Sequence, residues 1–311
     1  MNYFSEEKHY NTLNNYYRNR FGSKVYKIAL NGDFTCPNRD GTISSSGCIF
    51  CSDKGSGEFG GNRQNSLKDQ FINLKSMMEN KWKEGKYIVY FQSFSNTYGP
   101  IKKLRKLYYE ALSLDKDIVG LNIGTRADCF NDEIYDLLEE INEKTYLTIE
   151  LGLQSMHDKT LKTINRGHDL MTFIEAVKNL RKRNIDVVVH IINGLPGEDN
   201  EMMIKTAKFL NTLDIQGIKI HMLYIIENTP LARIFAKKPF PMLTMKEYVE
   251  ITVKQLTFLD PKIIIHRVTG DPERSALVEP AWALKKFIVS NEIDKLMRKN
   301  NLYQGINYNH E

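Results

Sequence analysis

Residues 146–192 decide the fold. Tyr146-Leu147-Thr148-Ile149-Glu150-Leu151 has the length and β-branched content of a strand, and so does Asp186-Val187-Val188-Val189-His190-Ile191-Ile192. Helix-like stretches at 157–164 and 171–184 lie between them. Two strands joined by a helical crossover form a parallel βαβ unit, because a hairpin is too short to return the chain in the same direction. The same alternation extends both ways. Strand-like runs fall at 24–30, 87–91, 118–123 and 217–224, with a further one at 263–268, and helical stretches at 66–84, 101–113, 133–142 and 201–212. Several of these strands are apolar throughout, as expected where both sheet faces are covered. The class is therefore α/β. Six clear units fall short of the eight strand–helix repeats, about 250 residues, of a closed barrel. The expected architecture is an incomplete barrel, with a doubly wound open sheet as the competitor.

With 311 residues, 41% hydrophobic and 26% charged, the composition is that of a globular chain and excludes collagen-like or disordered readings. No apolar run approaches the roughly 18 residues of a membrane span, and the start of the chain lacks an apolar leader segment. A cytoplasmic protein with no membrane association is expected. The net charge of +5 permits a polyanionic partner without pointing to one. Residues 1–22 read as a helical preamble, 23–232 as the core and 233–311 as a C-terminal extension. That extension begins near the break at Pro239-Phe240-Pro241 and carries helices at 245–258 and 282–299.

Three of the four cysteines, Cys36, Cys48 and Cys51, crowd into a Gly- and Ser-rich loop after the first strand, while Cys129 lies far along the chain. Three clustered thiols cannot all pair as disulfides, and metal binding is the better reading. Structural zinc needs four ligands and only one Cys-x2-Cys pair is present, so Cys129 or a histidine would have to complete that site. Three thiolates can instead hold a [4Fe–4S] cluster at three irons and leave the fourth open to a ligand.

On these residues the sequence resembles the radical S-adenosylmethionine (SAM) superfamily, in which a cysteine triad after the first strand of a partial (β/α)6 TIM-like barrel binds the cluster. Phe50 stands where an aromatic residue commonly precedes the last cysteine. The x11 gap between Cys36 and Cys48 is longer than the usual x3 and is similar to the branch related to the Elongator catalytic subunit. Downstream, Ile149-Glu150-Leu151-Gly152-Leu153-Gln154-Ser155, Asn165-Arg166-Gly167-His168 and Asn193-Gly194-Leu195-Pro196-Gly197-Glu198 resemble motifs that branch shares with oxygen-independent coproporphyrinogen oxidases. His266-Arg267-Val268-Thr269-Gly270-Asp271 and Pro280-Ala281-Trp282 resemble a bacterial Elongator-like conserved group.

The resemblance implies cofactors and contacts. Cys36, Cys48 and Cys51 would hold the [4Fe–4S] cluster, whose open iron takes S-adenosyl-L-methionine. Gln154 would meet the SAM ribose and Arg166 its carboxylate, a role that suits a planar guanidinium fork. Ser93 and Ser95, in a segment without the family's usual glycines, would supply oxygens for the SAM ammonium. Asn122 and His190 occupy places where relatives touch SAM, although a satisfied core histidine is the stronger reading of His190. The implied reaction begins with reductive cleavage of SAM to a 5′-deoxyadenosyl radical, which removes a hydrogen atom from the substrate. An electron donor such as flavodoxin or ferredoxin is implied.

Relatives in that branch act on the wobble uridine of tRNA, so the resemblance implies a tRNA partner and, for example, conversion of a 5-carboxymethylaminomethyl side chain to 5-aminomethyl. Basic stretches at 102–106, 178–183, 237–238 and 295–299 could meet phosphates, and Tyr10, Tyr16, Tyr17 and Phe21 could stack bases, but solvated helix faces and ordinary packing explain both. A radical SAM enzyme acting on a tetrapyrrole or an amino acid is the alternative, and a zinc-stabilised RNA-binding protein a further one. Arg267, Asp271 and Tyr224 are candidate substrate contacts by polarity near strand ends.

Overall fold

The computed structural model describes residue 4, residues 8–79 and residues 85–308. A first helix, α1 (Leu13–Phe21), leads into β1 (Val25–Leu30), and helices then alternate with strands: α2 (Leu67–Glu79), β2 (Lys86–Phe91), α3 (Ile101–Leu112), β3 (Ile118–Thr125), α4 (Asp132–Asn142) and β4 (Tyr146–Gln154). The series continues through α5 (Asp158–Thr163), α6 (Leu170–Lys182), β5 (Asp186–Asn193), α7 (Asn200–Leu210) and β6 (Gly217–Met222). Short β7 (Ile225–Ile226), α8 (Pro230–Lys237), α9 (Met245–Phe258), β8 (Ile264–Arg267), β9 (Leu277–Glu279) and α10 (Lys286–Lys299) complete it. The last five residues of the expected helix 66–84 lie outside the described residues, as do 1–3 and 5–7 of the preamble.

Every pair in the main sheet is parallel and the strand order is β1-β2-β3-β4-β5-β6-β8. A doubly wound sheet reverses its strand order at a switch point. Here the order never reverses, so the seven strands form the parallel half-barrel expected from the alternation. The run at 263–268 is its last strand. Two features depart from the sequence-based expectation. The expected strand 217–224 stops at Met222, and Ile225–Ile226 pairs instead with β9 in a separate antiparallel ribbon. The expected helix 282–299 is a 3-10 turn at Ala281–Leu284 followed by α10. Helix α8 begins where Thr229 caps it and Pro230 occupies its first turn, a place where the missing N–H costs nothing.

The aromatic residues of the preamble are used in packing. Tyr17 is buried, and Tyr16, Tyr17 and Phe21 all lie against the Tyr146 ring with centroids 5.6–6.5 Å apart. Tyr10 is buried as well. Of the aromatic residues considered for base stacking, Tyr10 and Tyr17 are therefore closed off. On the other side, the Tyr248 hydroxyl of α9 donates to the Val268 and Ile220 carbonyls at 2.9 and 3.2 Å, fastening the last strands.

Inside the half-barrel the apolar pattern is broken by one carboxylate. Glu150 on β4 has a side chain with 0% exposure and receives bonds from each of the other first six strands. Lys27 on β1 donates at 2.9 Å, Tyr90 on β2 at 2.6 Å, Asn122 on β3 at 3.0 Å and His190 on β5 at 2.9 Å, and Lys219 on β6 completes the set. Burial alone would raise the Glu150 pKa, but the Lys219 and Lys27 charges and the His190 bond hold it well below the usual carboxylate range. His190 is lowered to about 4 by burial and then by the Lys219 charge, so near neutral pH it bonds as an uncharged donor.

Glu150→Gln keeps the shape and removes the charge that compensates two partly buried lysines. It should cost about 3–5 kcal/mol, read as a lower urea midpoint. Because the Glu150 pKa lies below its unfolded value, this stabilisation is present above the unfolded carboxyl pKa and lost as pH falls through the folded one. An acid titration of the wild type should therefore narrow the gap to the variant, and the difference should remain full at pH 7.

Candidate active site

The cysteine loop runs between β1 and α2 and is held by the turn that follows α5. Asn38 donates from its side-chain amide to the Asn165 carbonyl at 2.6 Å, and the Asn165 amide donates in turn to the Gly47 carbonyl at 2.7 Å. Gly47 itself donates to the Asn38 carbonyl at 2.7 Å and has φ +71°, a conformation that favours glycine. Ile49 donates to the Ile164 carbonyl and accepts from Leu231, which stitches the Cys48–Cys51 turn between α5 and α8. Two motifs more than a hundred residues apart in sequence are thus one structural piece.

Cys36, Cys48 and Cys51 all line a single cavity of about 330 Å³ at the C-terminal ends of the strands. Ser95, Gln154, Arg166 and His190 line it too. Ser93 and Asn122 do not. Ser93 is buried against the Gly57–Gly60 turn, where a Cβ on Gly57 would come within 1.8 Å of its hydroxyl, and Asn122 lies beneath, spent on Glu150. Gly55 of the cysteine loop lines the cavity beside this segment, and the Phe94 N–H donates to its carbonyl at 3.0 Å.

Arg166 is buried, and two of its nitrogens close on the Gly152 carbonyl at 2.6 and 3.2 Å. Its third nitrogen, Nη1, lies 3.7 Å from the Cys48 sulfur, to which Asn38 also donates at 3.6 Å. The fork is therefore engaged on its own backbone, and Nη1 is the part turned to the thiols. Gln154 follows a bulge in β4 and holds φ +72°. For a residue with a side chain this costs about 1–3 kcal/mol, and such strain collects where geometry is needed for function.

Do these residues fit an iron–sulfur cluster? Among the described residues, no three His, Cys, Asp or Glu side chains converge as a single-ion site. A four-iron cluster is wider than one ion and takes its thiolates from further apart, as these three stand around one cavity. The wall beside them is cationic. Arg126, which lines the same cavity, gives two nitrogens to Asp128 at 2.7 and 2.8 Å, while its Nη1 is buried without a partner. An orphaned buried guanidinium N–H near three thiols suits an anionic group, and the donor set fits. Burial, and then the neighbouring Cys48, push the Cys51 thiol up to about 12 against the opposing pull of Arg39, so without a bound metal centre this thiol stays protonated near neutral pH. Cys129 is buried elsewhere and does not line this cavity.

The far wall holds residues that motif reading passed over. Tyr90, Glu150, Lys219 and His221 line the cavity, and Tyr224, Arg267 and Asp271 do so as polarity at the strand ends suggested. The available signal was a charged residue in an otherwise apolar strand, as in Ile149-Glu150-Leu151 and Ile218-Lys219-Ile220. Glu198 serves the scaffold instead, since its carboxylate receives the Ser155 hydroxyl and ties the loop after β5 to the end of β4. Of the basic stretches, Arg181 and Arg183 are occupied by Asp214, Asp186, Asp136 and Glu139.

Comparison with known proteins follows the same outline. Residues 38–210 match the family described as the Radical SAM superfamily, and 215–299 the Radical_SAM C-terminal domain. The chain is 47% identical to the uncharacterized protein YtqA of Bacillus subtilis over 97% of this chain and 94% of that protein. It is 33% identical to protein YhcC of Escherichia coli over 90% and 89%. A tRNA uridine(34) acetyltransferase of Methanocaldococcus infernus is 27% identical over 59% of this chain and 34% of its own length. The solved archaeal Elp3 from that organism shares the fold, with a TM-score of 0.66 over 90% of this chain and 64% of that one at 18% identity. With more than half its length matching the family and its parallel half-barrel shared with a solved structure, the chain belongs to the radical SAM superfamily, in the group of the YtqA and YhcC proteins.

Proposed function

We propose that Cys36, Cys48 and Cys51 hold the [4Fe–4S] cluster of a radical SAM enzyme that acts on the side chain of a wobble uridine in tRNA. The observation that carries the reading is the convergence of the three thiols with Gln154 and Arg166, far apart in sequence, on one cavity. When bound, the cluster and SAM supply one-electron cleavage of the sulfonium carbon–sulfur bond and removal of a hydrogen atom from the substrate. The chain's own residues bind and orient. Ser95 and Gln154 offer oxygens and an amide to SAM, Arg166 and Arg126 line the anionic side, and the packed Phe50 and Phe94 reduce access of water. His190 is shared between the cavity and Glu150, so a contact with SAM would come from the ring rather than the bonded nitrogen.

The tRNA substrate rests on the acetyltransferase relative and on the resemblance to the Elongator-like branch. The proposed example is conversion of 5-carboxymethylaminomethyluridine to 5-aminomethyluridine. A cytoplasmic location and a flavodoxin or ferredoxin as electron donor go with that reading. Among the described residues, no helix is long and apolar enough to cross a membrane.

Three outcomes are expected. Anaerobic reconstitution should load iron and sulfide and yield 5′-deoxyadenosine with reductant, and Cys48→Ala should lose both. Full SAM cleavage by that variant would remove the triad assignment. Arg166→Ala removes the one donor turned to the site, Nη1, worth a charge-assisted bond of about 1.5–3 kcal/mol, and should weaken SAM binding roughly ten- to a hundredfold, measured by equilibrium binding to the reconstituted protein. Deleting the gene should change the wobble-nucleoside profile of cellular tRNA by mass spectrometry, and an unchanged profile would count against tRNA.

A further inference from the structure

Two cations stand side by side in the floor of the cavity. Lys219 on β6 and Arg267 on β8 are direct partners across the parallel ladder, and His190 on β5 is the partner of Lys219 on the other side. All three line the cavity. Like charges placed opposite one another on neighbouring strands are destabilising. The pairing is also specifically arranged. Ile218 pairs with Ile265, and the register then shifts so that Lys219 meets Arg267 rather than His266. Bulges of this kind re-aim a side chain.

The carboxylates nearby do not neutralise this pair. Glu150 is shared between Lys219 and Lys27, and Asp271 is shared between Lys286 at 2.7 Å and Arg267 at 3.5 Å. Two carboxylates thus face four cations. Glu58, the other acid of the cavity wall, accepts from the Ser52 hydroxyl at 2.5 Å on the cysteine loop. Beside the rung, His221 also lines the cavity, and its Nε2 is buried without a partner.

We propose that Lys219, Arg267 and His221 form the seat of a carboxylate carried by the substrate's reacting side chain. This rests on the reading that the cavity holds SAM and a substrate, and it deepens that reading by naming the residues that seat the acid end of the substrate's side chain. A carboxylate between the two cations relieves their repulsion, and its second oxygen accepts from His221 when that nitrogen carries the proton. Burial first, and then the neighbouring Lys27 and Arg267 charges, lower Lys219 to about 8, so an anion here also restores a fully protonated lysine. The thiols stand on the loop after β1 and the seat on β6 and β8. Lys219 and Arg267 are positioning and specificity residues in this arrangement.

The probe is phenylacetate against its isosteric amide, phenylacetamide, and phenyl phosphate, each titrated by calorimetry into anaerobically reconstituted protein with SAM. Phenylacetate should bind at least about tenfold more tightly than the amide, and Arg267→Gln and Lys219→Met should each abolish the preference. Arg267 does not touch Glu150, so its variant keeps the test open if Lys219→Met does not fold. Equal binding, no binding by any probe, a preference that survives Arg267→Gln, or tighter binding of phenyl phosphate overturns the proposal. The wobble-nucleoside profile separates it from the tRNA reading. A carboxylate preference with an unchanged profile keeps the seat and removes tRNA, whereas a changed profile without the preference does the reverse.

Discussion

The buried carboxylate of Glu150 is the constraint around which the half-barrel is arranged. A charge removed from water costs several kcal/mol unless it is paired and fully hydrogen-bonded, and here the pairing comes from five other strands. No two-strand arrangement can satisfy it. The donors on β1, β2, β3, β5 and β6 meet at one point only when the sheet curls toward itself, so curvature and electrostatics favour the same geometry. An apolar lumen of similar volume would stabilise the fold as well or better. The polar one fixes where each strand stands relative to the others, and it leaves Lys219, His190 and Tyr90 presented to the cavity above.

The upper end depends on a second, independent fastening. The cysteine loop has little regular structure of its own, and Asn38, Gly47, Asn165 and Arg166 hold it against the turn after α5. The cost is concentrated in the backbone, where Gly47, Asn165 and Gly167 adopt positive φ and a Cβ on Gly167 would press on Asn38 at 2.9 Å. In exchange the thiol nearest the turn, Cys48, sits beside Arg166, whose other nitrogens are fixed on the Gly152 carbonyl. Loop position is thereby set by the end of β4, the strand that carries Glu150 at its centre.

Much of this is legible in the sequence because it is local. The strand–helix alternation and the clustering of three thiols are visible within short windows, whereas the strand order is not, because a doubly wound sheet gives the same alternation. What is not legible depends on register. Asn122 and His190 read as polar residues in apolar strands, but whether they face a ligand or Glu150 depends on which residues lie opposite across three strands. The fork of Arg166 reads as free until the bulge at Gly152 brings a carbonyl into it. Tyr10 and Tyr17 look like stacking residues until the helix that carries Tyr17 packs against Tyr146. Lys219 and Arg267, distant in the chain, become neighbours only through a ladder that slips by one residue.

That slip distinguishes the two walls of the cavity physically. On the thiol wall, positive charge from Arg39, Arg126 and Arg166 faces groups that are themselves anionic once deprotonated, so the local charge is balanced within the holoprotein. On the floor, Glu150 and Asp271 are each shared by two cations, and the remaining acid of the cavity, Glu58, is bonded to Ser52 on the cysteine loop. A half-barrel built on one buried carboxylate can carry these cations because Glu150 stabilises Lys27 and Lys219 together, whereas Arg267 has only a long pairing to Asp271. The floor is therefore most stable when an anion enters it. Selectivity for such an anion follows from the same lattice of strand partners that holds the barrel open.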